Sequence, residues 1–126
     1  MKELIKAAKA LSDETRLRIL NLLLEREACV CEVMQALGIS QTRASRNLKI
    51  LSDAGFLKMR REGLWTNYSI DSDGLKDYQI RLIEAAKEAL KDNKLAAIDK
   101  ERLQEAERVG SSCAGKICTI GLSSEA

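Results

Sequence analysis

At 126 residues the chain has room for one modest hydrophobic core and not for two. Its 32% charged and 3% aromatic residues suit a helical protein filled with Leu, Ile and Ala, and the absence of proline leaves long helices without an obligatory break. Histidine is also absent, which excludes Cys-His and Ser-His nucleophile pairs, imidazole bases and mixed His/Cys zinc sites, while the net charge of +2 means little until its distribution is read.

The first segment, roughly residues 2–10, is expected as a short amphipathic helix with Leu4, Ile5, Ala8 and Leu11 at three- and four-residue steps. Ser12 is placed to cap a second helix, with Asp13 and Glu14 in its first turn and Leu17, Leu20, Leu23 and Leu24 on one face. A third helix is expected from about Cys31 to Leu37, burying Val33, Met34 and Leu37, and Gly38 follows where a left-handed residue ends a helix. Ile39 fills the turn and Ser40 caps a fourth helix of about 41–52. Helix, glycine-containing turn, helix is the grammar of the helix-turn-helix.

Two β-rich runs around Glu62-Gly63 then predict a hairpin, with Leu64, Thr66, Tyr68 and Ile70 on one face of the second run and Trp65, Asn67 and Ser69 on the other. Trp65 and Tyr68 are expected to pack on a neighbouring helix rather than to stack on bases. Amphipathic stretches over 75–90 and about 94–109 follow, and the end of the chain is a Gly- and Ser-rich tail. The pattern predicts a mainly α protein with a small β-hairpin: a winged helix-turn-helix over residues 1–109, with a cysteine-containing tail over 110–126.

No run approaches the length of a membrane span, and the N-terminus lacks a signal peptide's apolar core. A soluble cytoplasmic protein without a membrane partner is expected, its four cysteines reduced and available for metal or redox chemistry.

Between Ser40 and Arg61 stand six basic residues (Arg43, Arg46, Lys49, Lys58, Arg60, Arg61) against the single acid Asp53, a local excess in a chain whose total is +2. Such a patch is the electrostatic footprint of phosphate binding. Arg43, Arg46 and Lys49 recur every three residues, while Ala44, Leu48 and Leu51 turn toward the core. Ser40, Gln41, Thr42 and Ser45 line the outer N-terminal half, the part that a recognition helix inserts into the major groove of double-stranded DNA. Gln41, Thr42, Arg43, Ser45 and Arg46 are therefore candidate base or phosphate readers, with Lys49, Arg60 and Arg61 as backbone clamps.

The segments LSDETRLRIL, CVCEVMQALGISQTRASRNLKILSDAGFL and REGLWTNYSI resemble the ArsR/SmtB family of metal- and metalloid-responsive winged-helix repressors, over about residues 4–90. The resemblance implies a homodimer built from the first and last long helices, bound to an operator until an inducer releases it. It also implies a role for the thiols. Cys29 and Cys31 resemble the thiolate pair with which arsenic-sensing members, and some cadmium- and lead-sensing ones, hold their inducer. The arsenical type usually carries a third cysteine three residues further on, where this chain has Met34. Cys113 and Cys118 are candidates for the missing ligand, or for a separate C-terminal site of the kind some members carry. The expected inducer is trivalent arsenic or antimony, with no organic cofactor.

Residues two apart on a regular helix point about 200° away from each other. Cys29 and Cys31 therefore meet one small ion only if they lie in the irregular approach to the third helix or if its first turn unwinds. Alternatives remain at this level. The pair can be buried as small hydrophobes, and the signal can be a thiophilic metal, an oxidant or a persulfide. A thiol oxidoreductase or iron–sulfur carrier lacks the expected cysteine spacing, and no residues support ordinary catalysis.

Overall fold

The structure, a computed structural model, describes residues 1–108; the tail with Cys113 and Cys118 lies outside the described residues, as does the expected domain boundary at 109/110. The chain runs α1 (Lys2–Ala10), α2 (Glu14–Glu25), β1 (Ala28–Cys29), α3 (Val30–Leu37), α4 (Gln41–Asp53), β2 (Leu57–Glu62), β3 (Trp65–Ile70), α5 (Asp77–Leu90) and α6 (Lys94–Glu105). This is the expected mainly α fold with a hairpin wing. No helix of the described residues is long and apolar enough to cross a membrane.

Local chemistry explains most boundaries. The cap of α2 is Asp13 rather than Ser12: its carboxylate accepts from the Arg16 N–H at 3.1 Å, while the Ser12 hydroxyl turns back to the Lys9 carbonyl. An acid at that position also complements the helix dipole. Gly38 ends α3 with φ 69 and ψ 39, the left-handed conformation that a side chain disfavours. Ser40 caps α4 as expected, accepting from the Arg43 N–H at 3.2 Å.

Two ends fall short of expectation: α5 begins at Asp77 and α6 stops at Glu105. The third helix starts earlier than expected, with Cys29 as its extended N-cap.

The core gathers Ile19, Leu20 and Leu22 from α2, Val33 and Met34 from α3, Ala44, Leu48 and Leu51 from α4, and Phe56 just before the wing, all essentially without solvent contact. Helix α1 departs from its expected face. Ala7 and Ala10 are the residues it buries, while Leu4 and Ile5 remain 50% and 47% exposed.

Sequence periodicity also missed the two-residue strand β1, which is too short to show alternation. It joins the hairpin to make a three-stranded antiparallel sheet in the order β1-β3-β2. Ala28 faces Tyr68 and Cys29 faces Asn67 across one ladder, and Arg60 faces Asn67 across the other. Directly opposed residues of an antiparallel pair share a face. Cys29, Asn67 and Arg60 therefore share one side, while Ala28, Tyr68 and Met59 share the other. Asn67, on the face it was expected to share with Trp65 and Ser69, is completely buried.

Candidate DNA-binding face and thiol site

Helix α4 presents its basic residues outward because Ala44, Leu48 and Leu51 occupy the opposite, buried face. Thr42, Arg43, Arg46 and Lys49 are exposed, and Gln41 and Ser45 are partly so. Arg61 is exposed on the wing strand β2, as is Lys58. Exposed basic residues thus stand on both α4 and the wing strand β2.

Several of them already have protein partners. The Arg43 guanidinium donates to the Thr15 hydroxyl at 3.0 Å, and Lys49 pairs with Asp53 at 3.4 Å. Arg60 donates to both carboxylate oxygens of Glu27, at 2.5 and 3.3 Å, and that bond holds its guanidinium further above its ordinary value. The Ser40 hydroxyl is engaged as the helix cap. Arg46 and Arg61 make no ion pair among the described residues.

Beneath this surface lies a support that the sequence did not reveal. Arg16 donates to the Ala10 carbonyl at 2.7 Å and to the Asn47 side-chain oxygen at 2.9 Å, and the Asn47 amide donates to the Arg43 carbonyl. This basic residue therefore fastens α1 and α2 to α4 instead of facing outward.

The thiol pair stands at the junction of sheet and helix. Cys29 lies in β1 and caps α3 in the extended region, φ −90 and ψ 168, while Cys31 is inside the first helical turn. Cys29 thus lies in the irregular approach to the helix while Cys31 lies within the helix. Both cysteines are completely buried. At the N-cap, negative charge is favoured by the helix dipole. The Cys29 N–H donates to Glu32 Oε1 at 2.9 Å, and Glu32 is in turn held by Arg26 at 3.1 Å.

Cys31 is covered by the chain that leaves α6. Gln35 Nε2 donates to the Cys31 sulfur at 3.2 Å and to the Glu107 carbonyl at 2.6 Å, and that carbonyl lies 3.7 Å from the same sulfur. Gln35 is one helical turn after Cys31, a spacing that was readable in the sequence. The approach of residues 106–108 was not.

Arg108 completes the cover. Its guanidinium donates to Glu62 at 2.6 Å and to the Asn67 side-chain oxygen at 2.8 Å, and lies 3.7 Å from Glu32. It also stacks 5.0 Å above the centre of the Trp65 ring. Trp65 packs against the core cluster and also meets Arg108 from the segment after α6, and Tyr68 is buried in the core.

Two sulfurs suit a thiophilic ion and do not suit magnesium, calcium or manganese. Among the described residues no group of three or more Cys, Asp or Glu is arranged to hold a metal ion. Within one chain, a three-thiolate ligand set therefore needs Cys113 or Cys118.

Comparison with known proteins agrees with this architecture. Residues 13–59 match the family described as "Bacterial regulatory protein, arsR family". A cadmium resistance transcriptional regulatory protein CadC homolog of Staphylococcus aureus is 40% identical over 85 residues, covering 67% of each chain. The arsenical resistance operon repressor of Escherichia coli is 40% identical over 83 residues, covering 65% of this chain and 70% of that one. Among solved structures, a homodimeric winged helix-turn-helix DNA-binding domain from Mycobacterium bovis superposes with a TM-score of 0.61 at 30% identity, covering 74% of this chain and 82% of its own. On these grounds, with the capped helix-turn-helix and its three-stranded wing, the chain belongs to the ArsR family of bacterial DNA-binding transcriptional repressors.

Proposed function

We propose that this repressor binds double-stranded operator DNA as a homodimer in the cytoplasm. It lets go when trivalent arsenic or antimony is held by its cysteine thiolates. Residues 1–109 serve as the DNA-binding and dimerisation domain and 110–126 as a thiol-bearing tail. Gln41, Thr42, Arg43, Ser45 and Arg46 read bases or phosphates, and Ser40 orients their helix. Lys49, Arg60 and Arg61 hold the flanking backbone.

The position of Cys29 and Cys31 carries the reading. The pair lies where strand β1 of the wing sheet turns into α3, and α3 leads through Gly38 directly to α4. Drawing the two sulfurs together strains the first turn of α3, and the strain is applied to both DNA-contacting elements. A hundredfold release of DNA requires a coupling of about 3 kcal/mol.

Exposed Leu4 and Ile5 on α1 and Ile80 on α5 favour dimerisation through those helices, as does the named homodimeric relative. Cys113 follows Arg108 by five residues, a span of at most about 18 Å when extended. The tail thiols are the proposed source of the third ligand.

Operator binding followed by fluorescence anisotropy with arsenite tests this, using wild type, Cys29/Cys31→Ser and Cys113/Cys118→Ser. Loss of the response in both double variants is expected. Loss in the second alone places the inducer site in the tail. A wild type that ignores arsenite but releases DNA with cadmium moves the reading to a cadmium sensor, which the named cadmium-resistance relative supports.

A further inference from the structure

The inducer reading leaves one cluster unused. Arg108, Glu62, Asn67, Trp65 and Glu32 come from three distant parts of the chain and meet over the thiols. Glu62, Trp65 and Asn67 belong to the wing, Glu32 to the first turn of α3, and Arg108 to the segment after α6. The guanidinium donates to Glu62 at 2.6 Å and to Asn67 at 2.8 Å, and covers the Trp65 ring. Asn67 also donates to Glu62 at 3.1 Å, so one arginine closes a three-member ring with both wing residues.

We propose that Arg108 is a positioning residue for DNA binding: it latches the wing in its operator-competent orientation, and displacement of the 106–108 segment from Cys31 opens the latch.

This inference rests on the repressor reading and adds the route by which the thiols reach the wing. Three observations carry it. First, apart from its backbone ladder to β1, the wing has little charged fastening to the body among the described residues. Arg60–Glu27 is its other charged tie to the body, and both partners are partly exposed. Exposed pairs of that kind contribute little by themselves. Arg108 is the more sheltered partner, with two hydrogen bonds and an aromatic face.

Second, the latch and the cover on Cys31 are one short piece of chain. The Glu107 carbonyl accepts from Gln35 and lies 3.7 Å from the Cys31 sulfur, and Arg108 is the next residue. A ligand on that sulfur needs the space now taken by the carbonyl and the Gln35 amide. Moving Glu107 withdraws Arg108 from the wing.

Third, the charges favour the closed state. The Arg108 guanidinium sits on the Glu62 carboxylate at 2.6 Å and 3.7 Å from Glu32, so opposite charges meet in the closed arrangement. Replacing Arg108 should therefore resemble induction.

The sign of one variant separates this latch from plain electrostatics. Removing the Glu62 carboxylate takes a negative charge off a DNA-facing wing. Electrostatics alone makes that tighten binding; a latch makes it weaken binding. The probe is a fluorescein-labelled duplex selected from a random-sequence pool by the wild-type chain, titrated at fixed salt without inducer.

Arg108→Ala and Glu62→Ala are each expected to weaken binding about five- to tenfold. The double variant should be little worse than either alone, and Arg108→Lys should lie between wild type and Arg108→Ala. Trp65, the one tryptophan of the chain, reports the latch without DNA. Its emission should shift and become more accessible to iodide in both alanine variants.

Tighter binding by Glu62→Ala, multiplying effects in the double variant, or Trp65 emission unchanged by Glu62→Ala overturns the proposal. If Arg108→Ala does not fold, Glu62→Ala and Arg108→Lys decide it. A wild-type chain that selects no duplex sinks the repressor reading instead, and the Trp65 readout then decides the latch by itself.

Discussion

Arg18 on α2 and Asp99 on α6 form a two-point ion pair, Nε to Oδ2 and Nη2 to Oδ1 both at 2.8 Å, with the carboxylate wholly buried. Two N–H···O bonds of this kind fix orientation as well as distance. The same guanidinium reaches the Leu37 carbonyl at the end of α3, so one side chain ties α2, α3 and α6 together. The docking of α6 decides where the chain emerges over Cys31.

Asp99→Ala leaves that guanidinium without its partner in a largely buried site. We expect it to cost about 3 kcal/mol of folding stability, read from urea denaturation. A loss below about 1 kcal/mol, the level of an exposed pair, would show that apolar packing of Leu103 and Ala96 holds α6 instead.

Arg43 lies on the exposed face of α4 with its guanidinium on the Thr15 hydroxyl. Arg43→Ala should leave the melting temperature nearly unchanged. It should weaken operator binding and reduce the slope of log affinity against log salt by about 1 if the side chain meets one phosphate. Unchanged affinity would remove Arg43 from the interface.

Glu32 is buried and serves three partners: the Cys29 N–H, Arg26 and, at 3.7 Å, Arg108. Glu32→Ala strips all three and is expected to cost about 2 kcal/mol. Glu32→Gln keeps an acceptor for the Cys29 N–H and should cost less. Equal losses in the two variants would show that the charge matters and the helix cap does not.

The Glu62 carboxyl is held below the ordinary glutamate range, first by the Arg108 bond and next by the Asn67 bond, with Arg60 adding a smaller effect. A folded-state value below the unfolded one contributes stability above the unfolded value and loses it as pH falls through the folded one. Trp65 emission should therefore hold steady from neutral pH through the ordinary glutamate range and change only below it. Glu62→Gln should abolish that acid step, with far-UV circular dichroism confirming that the helices persist. A step within the ordinary range would mean that Arg108 does not engage Glu62 in solution.

Much of the fold is local and was legible residue by residue. The Gly38 turn, the Ser40 cap, the outward basic face of α4 and the hairpin around Gly63 each depend on neighbours within four positions, where backbone conformation and side-chain spacing decide the outcome. Expectation failed where a choice hung on distant chain. Asp13 and Ser12 are both good caps, and the competition was settled by which side chain the turn after α1 left beside the Arg16 N–H. In α1 the alanines Ala7 and Ala10 face inward and the larger Leu4 and Ile5 are left outside, a choice that packing against the rest of the chain makes.

The sequence by itself determined the winged helix-turn-helix, its basic face and the presence of two thiols at the head of α3, because periodicity, capping and charge spacing are written within single elements. Tertiary structure alone decided that Cys29 belongs to the wing sheet, that Arg16 braces α4 from below, and that Arg108 lies on Trp65, Glu62 and Asn67. Those contacts join residues dozens of positions apart, and no local pattern encodes them. For Arg108, the packing of α6 onto α2 and α3 is what carries residues 106–108 to the wing.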